Sequence, residues 1–324
     1  MKRTILGGLI ATLATAIFAA GPALAQQELK MAYALSKDSH YGAGAAAFVE
    51  SLGENNENFV IEEFPNSALG GEREVIEGLQ LGTVDVALVS TGATLNFVPE
   101  TGVFDIPFLF RDLDHARGVL DSDIGQEMLT EFPKHGLTAL AWGEQGFRHL
   151  TNSKRAVENP EDIKGLKIRI TENPIHLKAF RELGVQASPM AWPEVATALQ
   201  QGAIDGQENP LSVIVSAKLW QLQDHLSLTG HVYAPALILV SPMVYDSLSD
   251  EEKEQFQTAG KAAAQAMRDY VDTVEQDGIE TLKENGMQVN EVDYAAFETA
   301  VEPVYKDYYG QFGEELIESI RDAQ

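Results

Sequence analysis

Trp192–Pro210 reads WPEVATALQQGAIDGQENP, and its first half has the period of a helix. Val195, Ala198 and Leu199 share a face, Pro193 suits a first helical position, and Gly202 stands where helices commonly end. Ile204 opens a new element. Gln207, Glu208, Asn209 and Pro210 follow, poor at burying apolar area but rich in hydrogen-bonding groups, so this strand end is expected to face a site. The stretch decides the fold because it has a counterpart. Leu79-Gln80-Leu81-Gly82-Thr83-Val84-Asp85 and Leu199-Gln200-Gln201-Gly202-Ala203-Ile204-Asp205 share L-Q-x-G-x-x-D, 120 residues apart from Leu79 to Leu199. Both copies sit at a helix-to-strand junction, which predicts two similar α/β lobes with a cleft between them.

Outward from these copies, strand and helix alternate. Glu28–Leu35 and Asn58–Phe64 read as strands around an Ala-rich helix from about Gly42 to Leu52. GGEREVIEGLQLG reads as a helix and TVDVALVST as a third strand. Alternation favours a mainly parallel sheet, on which ligands bind beyond the carboxyl ends of strands. Tyr33, Ser36, Ser90 and Thr91 are therefore candidate site residues. Asp112–Glu131 is expected to be one helix, and Leu137–Trp142 and Phe147–Asn152 two strands separated by GEQG at a crossover between lobes. In LKIRIT, Leu166, Ile168 and Ile170 face one way and Lys167, Arg169 and Thr171 the other. A pair of extended segments around Gly230 returns the chain to the first lobe. Ser249 with Glu252 is a capping-box signature and Gly286 a natural stop, so roughly 36 residues between them form one helix about 54 Å long that spans both lobes.

The N-terminus, MKRTILGGLIATLATAIFAAGPALA, has a basic start, an apolar run and small residues at Ala23 and Ala25, as in a cleaved secretory signal peptide over residues 1–25. No cysteine is present, which removes disulfides, thiolate nucleophiles, thiolate metal ligands and a lipid anchor. The formal charge of −26 argues against nucleic acid and anionic lipid as partners. No later segment reads as a membrane span, so the mature chain is expected to be soluble.

With 23 Lys and Arg against 49 Asp and Glu, an arginine on a cleft strand is informative. Arg169 and Arg148 qualify, and a guanidinium fork matches a carboxylate; the plain alternative is a solvated face or a local ion pair. Asn209 suits a second carboxylate oxygen or a sugar hydroxyl, against turn chemistry before Pro210. Trp192 would wall the ligand or pack in the core, and Glu172 would accept from hydroxyls or be surface charge. Enzyme signatures fail. Gly42-Ala43-Gly44-Ala45-Ala46-Ala47 matches G-x-G-x-x-A with Glu62 and Glu63 downstream, but SKDSHY separates it from the strand. There is no G-x-S-x-G, H-E-x-x-H or EF-hand loop, and none of the seven histidines is paired at i, i+4. No catalysis, cofactor or metal is expected.

LGGEREVIEGLQLGTVDVALVS, DIPFLF, GFRHLTNSKRAVENPEDIKGLKIRI, MAWPEVATALQQGAIDGQENPL and LTGHVY occur in this order. Together they resemble the solute-binding subunit of tripartite ATP-independent periplasmic (TRAP) transporters, of the C4-dicarboxylate-binding type. The resemblance covers essentially the whole mature chain. It implies a two-lobed periplasmic binding protein that closes on an organic acid and delivers it to ion-gradient-driven membrane subunits. It places the family's carboxylate-clamping arginine on Arg169, its second arginine on Arg148, its amide on Asn209 and its aromatic on Trp192. First-lobe contacts fall near Tyr33, Ala34 and Ser90. With Glu172, Thr91 and Tyr233 these make up the expected substrate-binding set. Sialic-acid binders are expected to have Asn and Glu where Ala34 and Ser90 stand. RITENP with MAW is closer to binders of sugar acids such as hexuronates, and ectoine binders share a similar arrangement. The expectation is a periplasmic monomer taking a hexuronate or a dicarboxylate, with lobe I at 26–145 and 235–270 and lobe II at 146–234 and 271–324. The alternatives are a periplasmic enzyme acting on sugar acids and a sensor module for a receptor.

Overall fold

The computed structural model describes residues 26–56 and 58–323; the expected signal segment lies outside them. Among the described residues nine strands form one sheet: β1 (Gln27–Tyr33), β2 (Phe59–Phe64), β3 (Val86–Ser90), β4 (Thr138–Asn152), β5 (Lys167–Ile170), β6 (Gln186–Pro189), β7 (Gly206–Pro210), β8 (His225–Val240) and β9 (Gln288–Glu291). Their order is β2-β1-β3-β8-β4-β7-β5-β6, with β9 beside β8. Two parallel triplets, β2-β1-β3 and β6-β5-β7, therefore flank the antiparallel pair β8-β4. Each triplet is the sheet of one lobe.

The repeated motif marks the same junction in both lobes. Helices Glu72–Leu81 and Trp192–Gln200 run into Gly82 and Gly202, which turn the chain at φ +70° and +66°, a region open to glycine at little penalty. Asp85 and Asp205 then clip the neighbouring strand. The Asp85 N–H donates to the Lys30 carbonyl at 3.1 Å, and its Oδ2 accepts from the Lys30 N–H at 2.8 Å. Asp205 treats Lys167 identically, at 2.7 Å and 2.9 Å. Nothing lies within 4 Å of a Cβ added at Gly202. Gly202→Ala is therefore expected to lower stability by only the backbone term, about 1–2 kcal/mol, measured by urea unfolding; an unchanged midpoint would contradict the junction's role.

Three expectations differ from the structure. The segment 112–131 is two helices, Leu113–Asp121 and Asp123–Leu129, because extended Ser122 interrupts the first and its hydroxyl caps the second, accepting from Ile124 N–H. GEQG is not a break between strands. β4 runs through it, and β8 likewise runs through Gly230, with register shifts at Ala139/Ala141, Glu144/Gly146 and Arg148/Leu150 absorbing the irregularity. Both strands stay continuous because they pair with each other along their length, while β3 anchors one end of β8 in the first lobe and β7 one end of β4 in the second. Finally, the segment VQASPM before Trp192, which the pattern of strands and helices above does not mark as a strand, carries β6.

The helix Asp250–Glu284 has 35 residues and the Ser249/Glu252 capping box, with Gly286 at φ +94° beyond its end. It is about 52 Å long. Phe256, Ala259, Ala263 and Met267 pack with Phe48 and Leu52 of the first lobe, and Val274 and Leu282 with Leu211, Ile214 and Leu226 of the second. Gly260 meets Leu140 and Gly278 meets Val215, so these glycines permit close approach rather than kinking the helix. The last helices, Tyr294–Phe312 and Glu314–Asp322, also touch both lobes. Tyr308 OH donates to the Ile175 carbonyl at 3.1 Å, and Arg111 Nη2 donates to the Ala323 carbonyl at 2.7 Å.

Candidate functional site

Between the lobes, at the carboxyl ends of β3, β5 and β7, lies a pocket of about 540 Å³, mouth included. It is lined by Arg148, Arg169, Asn209, Trp192, Glu172 and Ser90, together with Tyr41, Glu72, Arg73, Gln145, Thr171 and an apolar wall of Ala34, Leu35, Ala93, Met190, Ala191 and Val213.

Arg148 projects from β4 beside β7. Its Nε and Nη2 donate to the Glu208 carboxylate at 2.5 and 2.9 Å, and Nη2 also reaches the Glu208 carbonyl at 2.6 Å and Asn209 Oδ1 at 3.2 Å. Burial pushes the Glu208 carboxyl up. The Arg148 charge and a hydrogen bond from His231 overcome this and hold it well below the usual carboxylate range. Arg148 is thus neutralised within the protein.

Arg169 is not. It rises from β5, 3% exposed. Its Nε and Nη2 donate to the Met190 carbonyl at 2.9 and 2.7 Å, and its Cζ lies 5.8 Å from the Trp192 ring centroid. No carboxylate pairs with it among the described residues. Burial lowers its pKa to about 10, with Glu208 acting in the opposite sense, so it stays charged at neutral pH. A buried cation with free donors on a pocket wall is a seat for an anion.

Across the pocket, Glu72 opens the helix Glu72–Leu81. It accepts from Tyr41 OH at 2.9 Å, from Ser90 N–H at 2.9 Å and from Ser90 Oγ. Burial raises its carboxyl; the Ser90 and Tyr41 hydrogen bonds oppose that. Sequence reading missed it. The signal was in the repeat: the offset that carries Leu79 to Leu199 carries Glu72 to Trp192, so the two copies present a carboxylate and an indole at corresponding helix starts. At the pocket's edge the lobes touch, Asn96 Nδ2 donating to the Glu172 carbonyl at 2.8 Å.

The profile of the family described as bacterial extracellular solute-binding protein, family 7 (DctP), matches residues 31–311. The chain belongs to this family. A solute-binding protein of Verminephrobacter eiseniae is 47% identical over 93% of this chain and 91% of that protein. A TRAP periplasmic solute-binding protein from Bordetella bronchispeptica, with density assigned as pantoate, is 68% identical at a TM-score of 0.91, covering 92% of this chain and 100% of that one. Another from Polaromonas, bound to D-erythronate, is 48% identical at 0.91, covering 92% and 99%. The resemblance seen in the sequence and the two-lobed α/β fold it implied are both met.

In this family 7 solute-binding protein the expected site residues divide into two groups. Arg169, Arg148, Asn209, Trp192, Glu172 and Ser90 converge on the pocket. Tyr33, Thr91 and Tyr233 do not. Tyr33 is the last residue of β1, and its OH donates to Glu63 Oε2 at 2.6 Å, whereas Ala34 and Leu35, in the bend that follows the strand, line the pocket. Thr91 is fully buried, its Oγ1 donating to Asp105 Oδ1 at 3.2 Å. Tyr233 OH is spent on Glu144 Oε1 at 2.9 Å. Among the described residues no group of three or more His, Cys, Asp or Glu could hold a metal, and no helix is long and apolar enough to cross a membrane.

Proposed function

We propose that this chain is the periplasmic subunit of a TRAP transporter that captures a short-chain hydroxy acid, with a four-carbon backbone hydroxylated at C2 and C4, and delivers it unchanged to the membrane subunits. The observation that carries this is the buried, unpaired Arg169 facing a carboxylate, Glu72, across one small pocket. Arg169 holds the ligand carboxylate, Asn209 and the ordered Arg148 fork complete that end, and Trp192 packs on the carbon chain. Glu72, with Ser90 and Tyr41, accepts from a distal hydroxyl, while Leu35, Met190 and Val213 tolerate methyl groups.

Pantoate and D-erythronate, the ligands named for the two related structures, are both butanoates bearing hydroxyls at C2 and C4. They differ at C3, where one has two methyls and the other a hydroxyl. Among the sugar acids and dicarboxylates named for related structures, succinate and galacturonate included, these two ligands favour a short hydroxy acid for this chain. A second carboxylate would meet Glu72 and be repelled.

The chain acts as a monomer exported by its N-terminal signal. Its lobes comprise 26–145 with 235–270 and 146–234 with 271–324, the C-terminal helices also gripping the first lobe. A thermal-shift comparison tests the ligand. D-Erythronate and pantoate should stabilise the protein, by about 2.7 kcal/mol at a hundred times Kd, and be recovered chemically unchanged. Succinate or D-glucuronate shifting it as far would sink the assignment. Glu72→Gln should weaken D-erythronate about tenfold and improve succinate; if titration calorimetry finds both affinities unmoved, Glu72 does not read the hydroxyl.

A further inference from the structure

Gln145 stands at the slipped register of β4, between Glu144 and Gly146, and belongs to the pocket wall. It is 4% exposed. Its backbone is held by the Ser212 hydroxyl, which donates to the Gln145 carbonyl at 2.6 Å. Its side chain donates through Nε2 to Tyr41 OH at 2.9 Å. Tyr41, buried in the first turn of the helix His40–Asn55, donates in turn to Glu72 Oε1 at 2.9 Å. Three residues from three elements thus form one chain of hydrogen bonds along the pocket, and the role proposed for Glu72 leaves Gln145 without one.

Every proton in this chain has one place to go. Glu72 Oε1 already accepts from the Ser90 N–H, so it stays an acceptor for Tyr41 whether or not Oε2 carries a proton. The single hydroxyl proton of Tyr41 is therefore spent on Glu72, and the Tyr41 oxygen can only accept from Gln145. The two ends of an amide have nearly the same shape, but turned round Gln145 would set Oε1 against the lone pairs of Tyr41. Glu72 thus fixes which way the Gln145 amide points, by way of Tyr41. The other end, Oε1, has no partner among the described residues and is not sealed from solvent. Since the residue is almost wholly buried and lines the pocket, Oε1 opens into it as an acceptor oriented in advance.

Pantoate and D-erythronate share hydroxyls at C2 and C4. With the C4 hydroxyl given to Glu72, the C2 hydroxyl is the shared group left over, next to the carboxylate that Arg169 holds. We propose that Gln145 Oε1 accepts the hydrogen bond of the ligand's C2 hydroxyl, with Tyr41 as the residue that positions it, so that the site selects 2-hydroxy acids over their 2-oxo and 2-deoxy counterparts. This rests on the reading of the ligand as a short hydroxy acid whose carboxylate sits on Arg169. A 2-oxo group has no proton to give and brings its own lone pairs against Oε1. The amide cannot turn to suit it without meeting the same repulsion at Tyr41. A 2-deoxy acid leaves Oε1 enclosed without a partner, and a site built to pair with a hydroxyl rejects the analogue lacking it for that reason.

Titration calorimetry tests this on two ligand pairs: D-erythronate against 3,4-dihydroxybutanoate of the same C3 configuration, and pantoate against its 2-oxo counterpart. The wild type should favour the 2-hydroxy member of each pair about tenfold. Gln145→Leu should bring both ratios to about one, and Tyr41→Phe, which frees the amide to turn, should lower the hydroxy-over-oxo ratio about threefold. Ratios are read rather than affinities because damage to the fold weakens both members of a pair alike. A wild type that favours neither member, or either variant keeping the wild-type ratios, overturns the proposal. If neither D-erythronate nor pantoate gives heat, the ligand assignment falls instead, and the hydrogen-bond chain is judged on ligand-free protein. There the Gln145 side-chain amide protons should exchange with solvent slowly in the wild type and faster in Tyr41→Phe, measured by NMR; equal rates overturn the proposal.

Discussion

Arg169→Ala is expected to remove ligand binding by about 2–5 kcal/mol while leaving the ligand-free protein as stable as wild type or slightly more so. The two halves of this result have one cause. Arg169 is 3% exposed yet has no carboxylate partner, only the Met190 carbonyl and the Trp192 face. An unpaired buried cation contributes nothing favourable until an anion arrives, and then it supplies the main charge-assisted contact. Calorimetry with D-erythronate and urea unfolding of the unliganded variant measure the two parts. Affinity within twofold of wild type, or a loss that tracks a drop in stability, would remove Arg169 from the ligand site.

Arg148→Ala should behave oppositely and destabilise the fold itself by about 3–5 kcal/mol, because it strands a charge that folding has buried. Glu208 is 0% exposed and would keep only His231, at 3.2 Å, as a hydrogen-bonding side chain. The pH dependence follows from the direction of the shift. A carboxyl held below its unfolded value of about 4.3 adds stability that is complete above that pH and is lost as pH falls below it. Wild-type unfolding midpoints should therefore fall below pH 4, and Arg148→Ala should lose much of that acid sensitivity along with its stability. Combining it with Glu208→Gln should recover most of the loss. Urea midpoints from pH 3 to pH 7 decide this; a variant as stable as wild type at pH 7 would show that the pair is dispensable.

The contrast between these arginines marks how far the sequence could be read. Both stood out equally, as scarce cations on strands of an acidic chain. Only the partner chosen by Arg148 separates them, and Glu208 lies 60 residues away, brought alongside by the pairing of β4 with β7. The scaffold was legible because its signals are local: glycines at left-handed junctions, the Ser249/Glu252 box, the repeated aspartate. Glu72 was not, since Tyr41 and Ser90 reach it from other elements. The same holds for GEQG. Two glycines around two polar residues look like a break, but Glu144 is buried against Arg117 Nη2 at 2.5 Å and the Gln145 carbonyl accepts from Ser212 Oγ at 2.6 Å.

The lobes are joined by β4 and β8, strands of 15 and 16 residues paired from Thr138/Val240 to Asn152/His225. Such a joint is a two-ply leaf spring rather than a pair of loose tethers. Its plies are hydrogen-bonded to each other, so a bend in one is shared by the other. The soft point of the spring is the slipped register at Glu144/Gly146, where Gly146 takes φ +102°. That point lies next to Gln145 of the pocket wall, so the hinge and the site share one segment of chain.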